Sequence, residues 1–426
     1  MRLMPNGIGD INGREYGMMQ DIKIVYVTTV PWTLGFLRGH ISYLKSRGME
    51  VHVISSPGDE LDKFGAELQV PVHPVSMMRP ISPIHDLCSA WRLGKVLRDL
   101  KPHILHTMTP KAGLLGTLGA RFTGVPIVVS SLFGLPQMTK TGPLRRLLNV
   151  TTSLACRWSD RVWCDSFSMC DYVARAHLCP GDKLFVLGQG SVGGVDAIGE
   201  FSPSLQGAGV RGAIRLHNNI PDDARVIGYI GRIVADKGMR ELAGAWRILR
   251  EEYPDLHLLL VGPFEDSDPL DHEDQRLFQA DPRVHLAGRQ RYIPPFLAAM
   301  DVSVMPSYRE GFGVTNIEAA AMALPVVSTL IPGCVDSVLD GVTGALVPPR
   351  DTKALTEAVA EYLVNPDLRR KHGQAGRERV LQEFRPEMIW EALYNEYVNL
   401  LQKKGPHLST AWNLPATISV EEHRAA

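Results

Sequence analysis

Glu310 and Glu318 stand eight residues apart in the run Glu310-Gly311-Phe312-Gly313-Val314-Thr315-Asn316-Ile317-Glu318, and Gly231-Arg232 shortly precedes Asp236-Lys237-Gly238. Carboxylates can accept hydrogen bonds from sugar or ribose hydroxyls, and flanking glycines let the backbone approach a ligand closely. Arg232 and Lys237 are cations able to hold a diphosphate and to stabilise its charge as it departs, in place of a magnesium ion. Taken singly, both also suit ordinary surface charges near a helix start, where a cation is unfavourable unless an anion is bound. Thr315-x-x-Glu318 likewise fits a capping box, worth roughly 1 kcal/mol to a helix beginning near Thr315. Capping accounts for Glu318 but not for Glu310, and both roles can coexist.

The elements that must position these residues are legible in outline. Short β-branched runs alternate with helical stretches, the pattern of parallel sheets wound by crossover helices. Strands are expected at Ile22–Thr28, Val51–Ser55, His103–His106, Ile127–Ser131 and Val162–Cys164, then at Val226–Ile230, Leu256–Val261, Val284–Leu286, Val302–Met305, Pro325–Ser328 and Ala345–Val347. Helices are expected among others at Ile84–Leu100, Pro143–Trp158, Arg240–Glu252, Asn316–Ala323 and Thr352–Leu363. The stretch Phe201–Ala224, rich in Ser, Gly, Pro and Asn, reads as a linker. The expected division is a leader over 1–20, a first domain over 21–200, the linker, a second domain over 225–385, a helix over 386–402 returning to the first domain, and a tail over 403–426. Two α/β, Rossmann-like doubly wound domains facing across a cleft follow, with ligands at the carboxyl ends of the strands.

The 426 residues suffice for two cores. With 45% hydrophobic and 21% charged residues the composition is that of a globular chain. No apolar run approaches the length of a spanning helix, and the first twenty residues do not resemble a secretory signal. Cys88, Cys156, Cys164, Cys170, Cys179 and Cys334 form no CxxC pair and read as free thiols of a reducing, cytoplasmic compartment. Residues 1–200 hold 21 Lys and Arg against 16 Asp and Glu, whereas the whole chain carries a net charge of −1. A mildly basic first half suits an anionic partner such as a phospholipid surface or a lipid pyrophosphate, or is simply solvated surface. Nothing points to a nucleic acid. Asp266-Ser267-Asp268 has the form of a cation-chelating pair, but the neighbouring cations already suit the diphosphate, so no metal is expected.

The run Pro306-Ser307-Tyr308-Arg309-Glu310-Gly311-Phe312-Gly313-Val314-Thr315-Asn316-Ile317-Glu318-Ala319-Ala320-Ala321-Met322-Ala323-Leu324-Pro325 resembles the paired-glutamate signature of family-4 retaining glycosyltransferases of the GT-B fold. Gly231-Arg232, Asp236-Lys237-Gly238, Ile331-Pro332-Gly333-Cys334-Val335-Asp336-Ser337-Val338 and Asp340-Gly341-x-Thr343-Gly344-x-Leu346-Val347 extend the likeness. It implies that Glu318 holds ribose hydroxyls, Glu310 orients the transferred sugar, and Gly231, Arg232 and Lys237 surround the diphosphate. The amides of Gly313, Val314 and Thr315 would lie near the phosphates, Gly311 and Phe312 would also bind the donor, and the loop Gly288–Arg291, with Arg291, would lie near the base. The implied reaction is metal-independent and retaining. It would move a hexose or N-acetylhexosamine from a nucleotide diphosphate, taken as UDP, without a cofactor.

His106-Thr107-Met108-Thr109-Pro110-Lys111-Ala112-Gly113 and Gln189-Gly190-Ser191-Val192-x-Gly194-Val195-Asp196 resemble a bacterial capsule, exopolysaccharide and O-antigen assembly subgroup acting on polyprenyl-diphosphate-linked glycans. Trp32, Gly35, His106, Thr109 and Lys111 are the acceptor-side candidates, although Pro110-Lys111 equally suits a plain helix start. Two positions depart from the pattern. Phe133 and Met108 stand where relatives often carry histidine, which keeps open a catalytically inactive nucleotide-sugar-binding subunit; a sugar-nucleotide epimerase of the same fold is a further alternative. Arg145, Arg146 and Arg157 interleave with leucines in 143–158, and Arg92, Lys95, Arg98 and Lys101 recur every three residues. These basic surfaces suit peripheral contact with the anionic inner membrane, or a solvated face over a core.

Overall fold

The computed structural model describes residues 22–404 apart from 267, so the expected leader and residues 405–426 of the expected tail lie outside the described residues. Seven parallel strands form one sheet: β1 (Lys23–Val27), β2 (Glu50–Ser55), β3 (Val72–Pro74), β4 (Ile104–Thr107), β5 (Ile127–Leu132), β6 (Arg161–Cys164) and β7 (Leu184–Phe185). Their order is β3-β2-β1-β4-β5-β6-β7. Six more form a second: β8 (Arg225–Ile230), β9 (Leu256–Val261), β10 (Val284–Gly288), β11 (Val302–Met305), β12 (Val326–Thr329) and β13 (Gly344–Val347), ordered β10-β9-β8-β11-β12-β13. Both sheets are Rossmann-like, winding outward in one direction, then reversing beside their first strand.

The inner strands are buried on both faces, as crossover helices require of parallel sheets. Every residue from Ile24 to Val27 is shielded from solvent, and so is every residue of β9 and β11. In the helix Met239–Glu252, Leu242, Trp246 and Leu249 recur at helical spacing and enter the core with Tyr229, Leu258 and Val302.

By contact density the described chain separates into two compact units. One holds residues 22–130, 158–160 and 390–404; the other holds 131–157 and 161–389. In the first unit the last helix, Pro386–Lys404, lies against Gly39, where a β-carbon would meet the Trp390 ring. The Tyr397 hydroxyl bonds Tyr26 at 2.9 Å, and Lys404 donates to the Pro126 carbonyl at 2.8 Å.

Two expectations need correction. Phe201–Ala224 is not a bare linker, because it contains the helix Ala208–His217. Arg215 on that helix is buried, donates to the carbonyls of Ala299 (3.1 Å), Asp222 (2.7 Å) and Ala224 (2.8 Å), and pairs with Asp301 at 3.1 Å. Strands β3 and β7 were missed because three and two residues are too short to show a period. Among the described residues no helix is long and apolar enough to cross a membrane.

Removing one partner of a buried ion pair leaves the other uncompensated. Arg215→Met is therefore expected to cost about 3 kcal/mol of unfolding free energy, read from the denaturant midpoint; a loss below about 1 kcal/mol would show that Arg211, which also pairs with Asp301, suffices alone.

Candidate active site in the second sheet

The order of the second sheet sets β8 beside β11, at its reversal point. Both strands are parallel, so the loops leaving their carboxyl ends, 231–238 and 306–313, emerge side by side. This adjacency brings together residues more than seventy positions apart. Lys237 Nζ donates to Glu310 Oε1 at 2.6 Å, both side chains being about 15% exposed. One residue back on each loop, Arg309 Nη2 donates to Asp236 Oδ2 at 2.7 Å. Two dipeptides of alternating charge, Asp236-Lys237 and Arg309-Glu310, thus meet as two adjacent ion pairs.

Arg232, more exposed, pairs with Glu265 at 3.1 Å, while its carbonyl accepts the buried Tyr229 hydroxyl at 2.7 Å. Asp268, half of the suspected chelating pair, accepts the Asp236 amide through its carboxylate at 2.8 Å, and its carbonyl accepts the Ala235 amide at 2.9 Å. It braces the 231–238 loop. No group of three or more His, Cys, Asp or Glu is arranged to hold a metal ion among the described residues.

The helix after the second loop runs Val314–Ala321 with Gly313 as its N-cap, so the expected capping box at Thr315 does not form. Thr315 already lies inside the first turn, and Asn316 donates to the Gly313 carbonyl at 2.9 Å. Glu318 is therefore not consumed by capping. Burial, with a smaller contribution from Glu200, raises its carboxyl to about 7. The helix N-terminus presents backbone N–H groups and a partial positive charge beside the ion pairs, which suits an anion.

Close packing holds Glu310-Gly311 in place. A β-carbon on Gly311 would lie 2.1 Å from Asp165 Oδ2 and 2.7 Å from the Gly134 amide nitrogen. Ser166 Oγ donates to the Gly311 carbonyl at 2.8 Å. Ser168 Oγ accepts the Gly333 amide at 2.7 Å and bonds Asp336. Burial pushes the Asp165 carboxyl well above the usual carboxylate range, and Glu310 and Asp336 add to the shift. Phe312 packs edge-on against Phe384 with ring centroids 5.4 Å apart. Sequence reading did not bring Asp165, Ser166, Ser168 or Arg309 to these loops, and it weighed Asp268 only as half of a chelating pair. Only the opposed charge order of Asp236-Lys237 and Arg309-Glu310 gave a signal that could have found one.

Arg291 lies exposed in the loop after β10. Phe133 packs edge-on against Trp163 at 5.0 Å. In the first unit the acceptor candidates flank the corresponding reversal, between β1 and β4. Thr109 Oγ1 accepts the Thr29 amide at 3.1 Å and bonds its hydroxyl at 2.6 Å. Lys111 pairs with Asp86 at 2.7 Å. Trp32 is exposed, on the short helix Pro31–Leu37 with Gly35. His106 is fully buried and bonded to the Tyr397 hydroxyl; burial lowers its pKa to about 3, so the ring is neutral and offers no face to an acceptor. Met108 is buried.

Comparison with known proteins identifies the family. Residues 37–190 match the "Glycosyl transferase 4-like domain" model and residues 224–365 the "Glycosyl transferases group 1" model. The chain is 32% identical over 393 residues to the capsular polysaccharide biosynthesis glycosyltransferase CapM of Staphylococcus aureus, covering 90% of this chain and 99% of that protein. It is 26% identical to the UDP-Gal:alpha-D-GlcNAc-diphosphoundecaprenol alpha-1,3-galactosyltransferase of Escherichia coli, over 79% of this chain and 87% of that protein. The structure of Anabaena HepE in complex with UDP and glucose superposes with a TM-score of 0.74 at 18% identity, over 88% of this chain and 99% of HepE. The chain belongs to the family-4 glycosyltransferases of the GT-B fold.

A carboxyl whose folded pKa exceeds its unfolded value favours the folded state while protonated, and that contribution is lost as pH rises through the folded value. For Glu318 the window runs from its ordinary 4.5 to about 7. Glu318→Gln is accordingly expected to gain melting temperature over the wild type at pH 8 but not at pH 4.5. Equal melting curves at both pH values would show that Glu318 titrates normally.

Proposed function

We propose that the chain transfers a hexose or N-acetylhexosamine, with retention of configuration and without metal, from a UDP-sugar to a polyprenyl-diphosphate-linked glycan in cell-surface polysaccharide synthesis. The observation that carries this reading is the pairing of Lys237 with Glu310 at the reversal of the second sheet. There a cation for the diphosphate and a carboxylate for the sugar share one point. The likeness to CapM supports the polysaccharide, and the substrates in the Escherichia coli relative's name support UDP and the lipid diphosphate.

Lys237 is neutralised by Glu310. An incoming diphosphate competes for the lysine and frees the glutamate to orient the sugar. The bond from the anomeric carbon to the diphosphate oxygen breaks as the acceptor oxygen bonds that carbon. Arg232 and Lys237 stabilise the charge left on the diphosphate, and a diphosphate oxygen takes the acceptor's proton. Glu318 holds the ribose, and Gly231, Gly311, Phe312, Gly313, Val314 and Thr315 line the phosphates, with Arg291 toward the base. Trp32, Gly35, Thr109 and Lys111 are the acceptor-side residues. Leu144, Leu147 and Val150 are exposed on the helix carrying Arg145 and Arg146, a surface suited to peripheral contact with anionic lipid.

Calorimetry in EDTA tests the donor site. UDP should bind the wild type, and Glu318→Ala should weaken it at least about tenfold, the loss of about 1.4 kcal/mol expected for hydrogen bonds to a charged group. If the ionised carboxylate is the binding form, wild-type affinity should also rise between pH 6 and 8, and Glu318→Gln should flatten that rise. Binding that requires a divalent ion, or that ignores both substitutions, would overturn the assignment. The second reading, an inactive nucleotide-sugar-binding subunit, is favoured by Phe133 and Met108 and predicts UDP binding without sugar transfer.

A further inference from the structure

Arg309 has no assigned role, yet it joins three parts of the site. Its Nη2 holds Asp236 at 2.7 Å, its Nη1 reaches the Gly134 carbonyl at 3.3 Å, and the next residue is Glu310, the partner of Lys237. Asp236 precedes Lys237, so an unneutralised carboxylate there would sit beside the cation that the diphosphate needs. Burial alone would raise the Asp236 carboxyl, but Arg309 first, then Lys237 and Arg232, outweigh it and hold the group below its usual value. Asp236 is therefore an anion facing three cations, with Arg309 taking the largest share.

The form of the contact also sets it apart from a brace optimised for stability. A guanidinium and a carboxylate bind most strongly as a two-pronged pair. Here Asp236 Oδ1 and Arg309 Nε are buried without a hydrogen-bond partner among the described residues. Such unmet groups cost stability, so the pairing is poorly explained as a fastening alone.

We propose that Arg309 is a positioning residue of the diphosphate site. It draws the Asp236 carboxylate away from Lys237, leaving the lysine's charge to be exchanged between Glu310 and the incoming diphosphate. This rests on the donor-site reading above. It makes the two partners unequal: losing Arg309 exposes an anion to the diphosphate, whereas losing the charge of Asp236 removes one. A merely structural ion pair would suffer alike from either loss.

UDP affinity measured by calorimetry on the full chain separates these cases. Arg309→Met should weaken UDP binding about tenfold, the effect of roughly 1.4 kcal/mol of added repulsion at a partly buried site. Asp236→Asn should tighten it by about two- to threefold, and the double variant should return to within about threefold of wild type. If Arg309→Met does not fold, Asp236→Asn still decides by its sign. Weaker binding by Asp236→Asn, or unchanged binding by a folded Arg309→Met, would overturn the inference while the wild type still binds UDP. A wild type that binds none of UDP, GDP and ADP would instead overturn the donor-site reading, and the inference with it.

Discussion

The site depends on one constraint, the neighbourhood of β8 and β11. A parallel sheet that reverses beside its first strand leaves two adjacent carboxyl-terminal loops whose following helices pack on opposite faces, and the opening between them admits ligands. Lys237 and Glu310 meet only because their strands are hydrogen-bonded neighbours. The first sheet repeats the device. β1 and β4 flank its reversal, and their loops are tied by the hydrogen bonds of Thr29 to Thr109. Each sheet thus has one reversal, and candidate donor residues lie at one and acceptor candidates at the other.

Charge follows from that adjacency. Two loops that both bore unpaired cations would repel each other when no donor is bound, and burying such charges is costly. Opposed dipeptides solve this, because Asp236-Lys237 and Arg309-Glu310 neutralise one another locally. The same pairing leaves an exchangeable partner on Lys237. In the proposed function a diphosphate takes over Lys237, and the freed Glu310 carboxylate accepts hydrogen bonds from the sugar hydroxyls instead. The N-terminus of the helix Val314–Ala321 adds a fixed positive end that needs no counter-ion of its own.

Much of this was legible in the residues. Leu256–Val261 and Val302–Met305 carry enough β-branched and leucine residues between polar breaks to define β9 and β11 without error. The paired glutamates and the Gly231-to-Gly238 loop were recognisable because residue types and spacing there resemble the family signature. What escaped depends on partners distant in sequence. The start of the helix at Val314 hinges on Gly313 serving as its cap, which Thr315-x-x-Glu318 obscured. The helix Ala208–His217 was hidden by turn-forming neighbours and depends on Arg215 finding Asp301 and three carbonyls. Asp165 lies in an unremarkable stretch, and only the folded chain sets it against Gly311.

The two glutamates show where local reading stops. They share a residue type, a motif and a spacing, yet their surroundings pull them apart. Glu310 has a cation at hydrogen-bond distance. Glu318 is raised toward neutrality by burial and by Glu200, a residue more than a hundred positions away. In the proposed function Glu310 is released when a diphosphate satisfies Lys237. Glu318 instead gains its charge from a change of pH or from hydroxyls that reward the ionised form. Under the proposed function, a substrate that offers a diphosphate and a pair of ribose hydroxyls meets both conditions at once, whereas a free sugar or an inorganic phosphate meets only one.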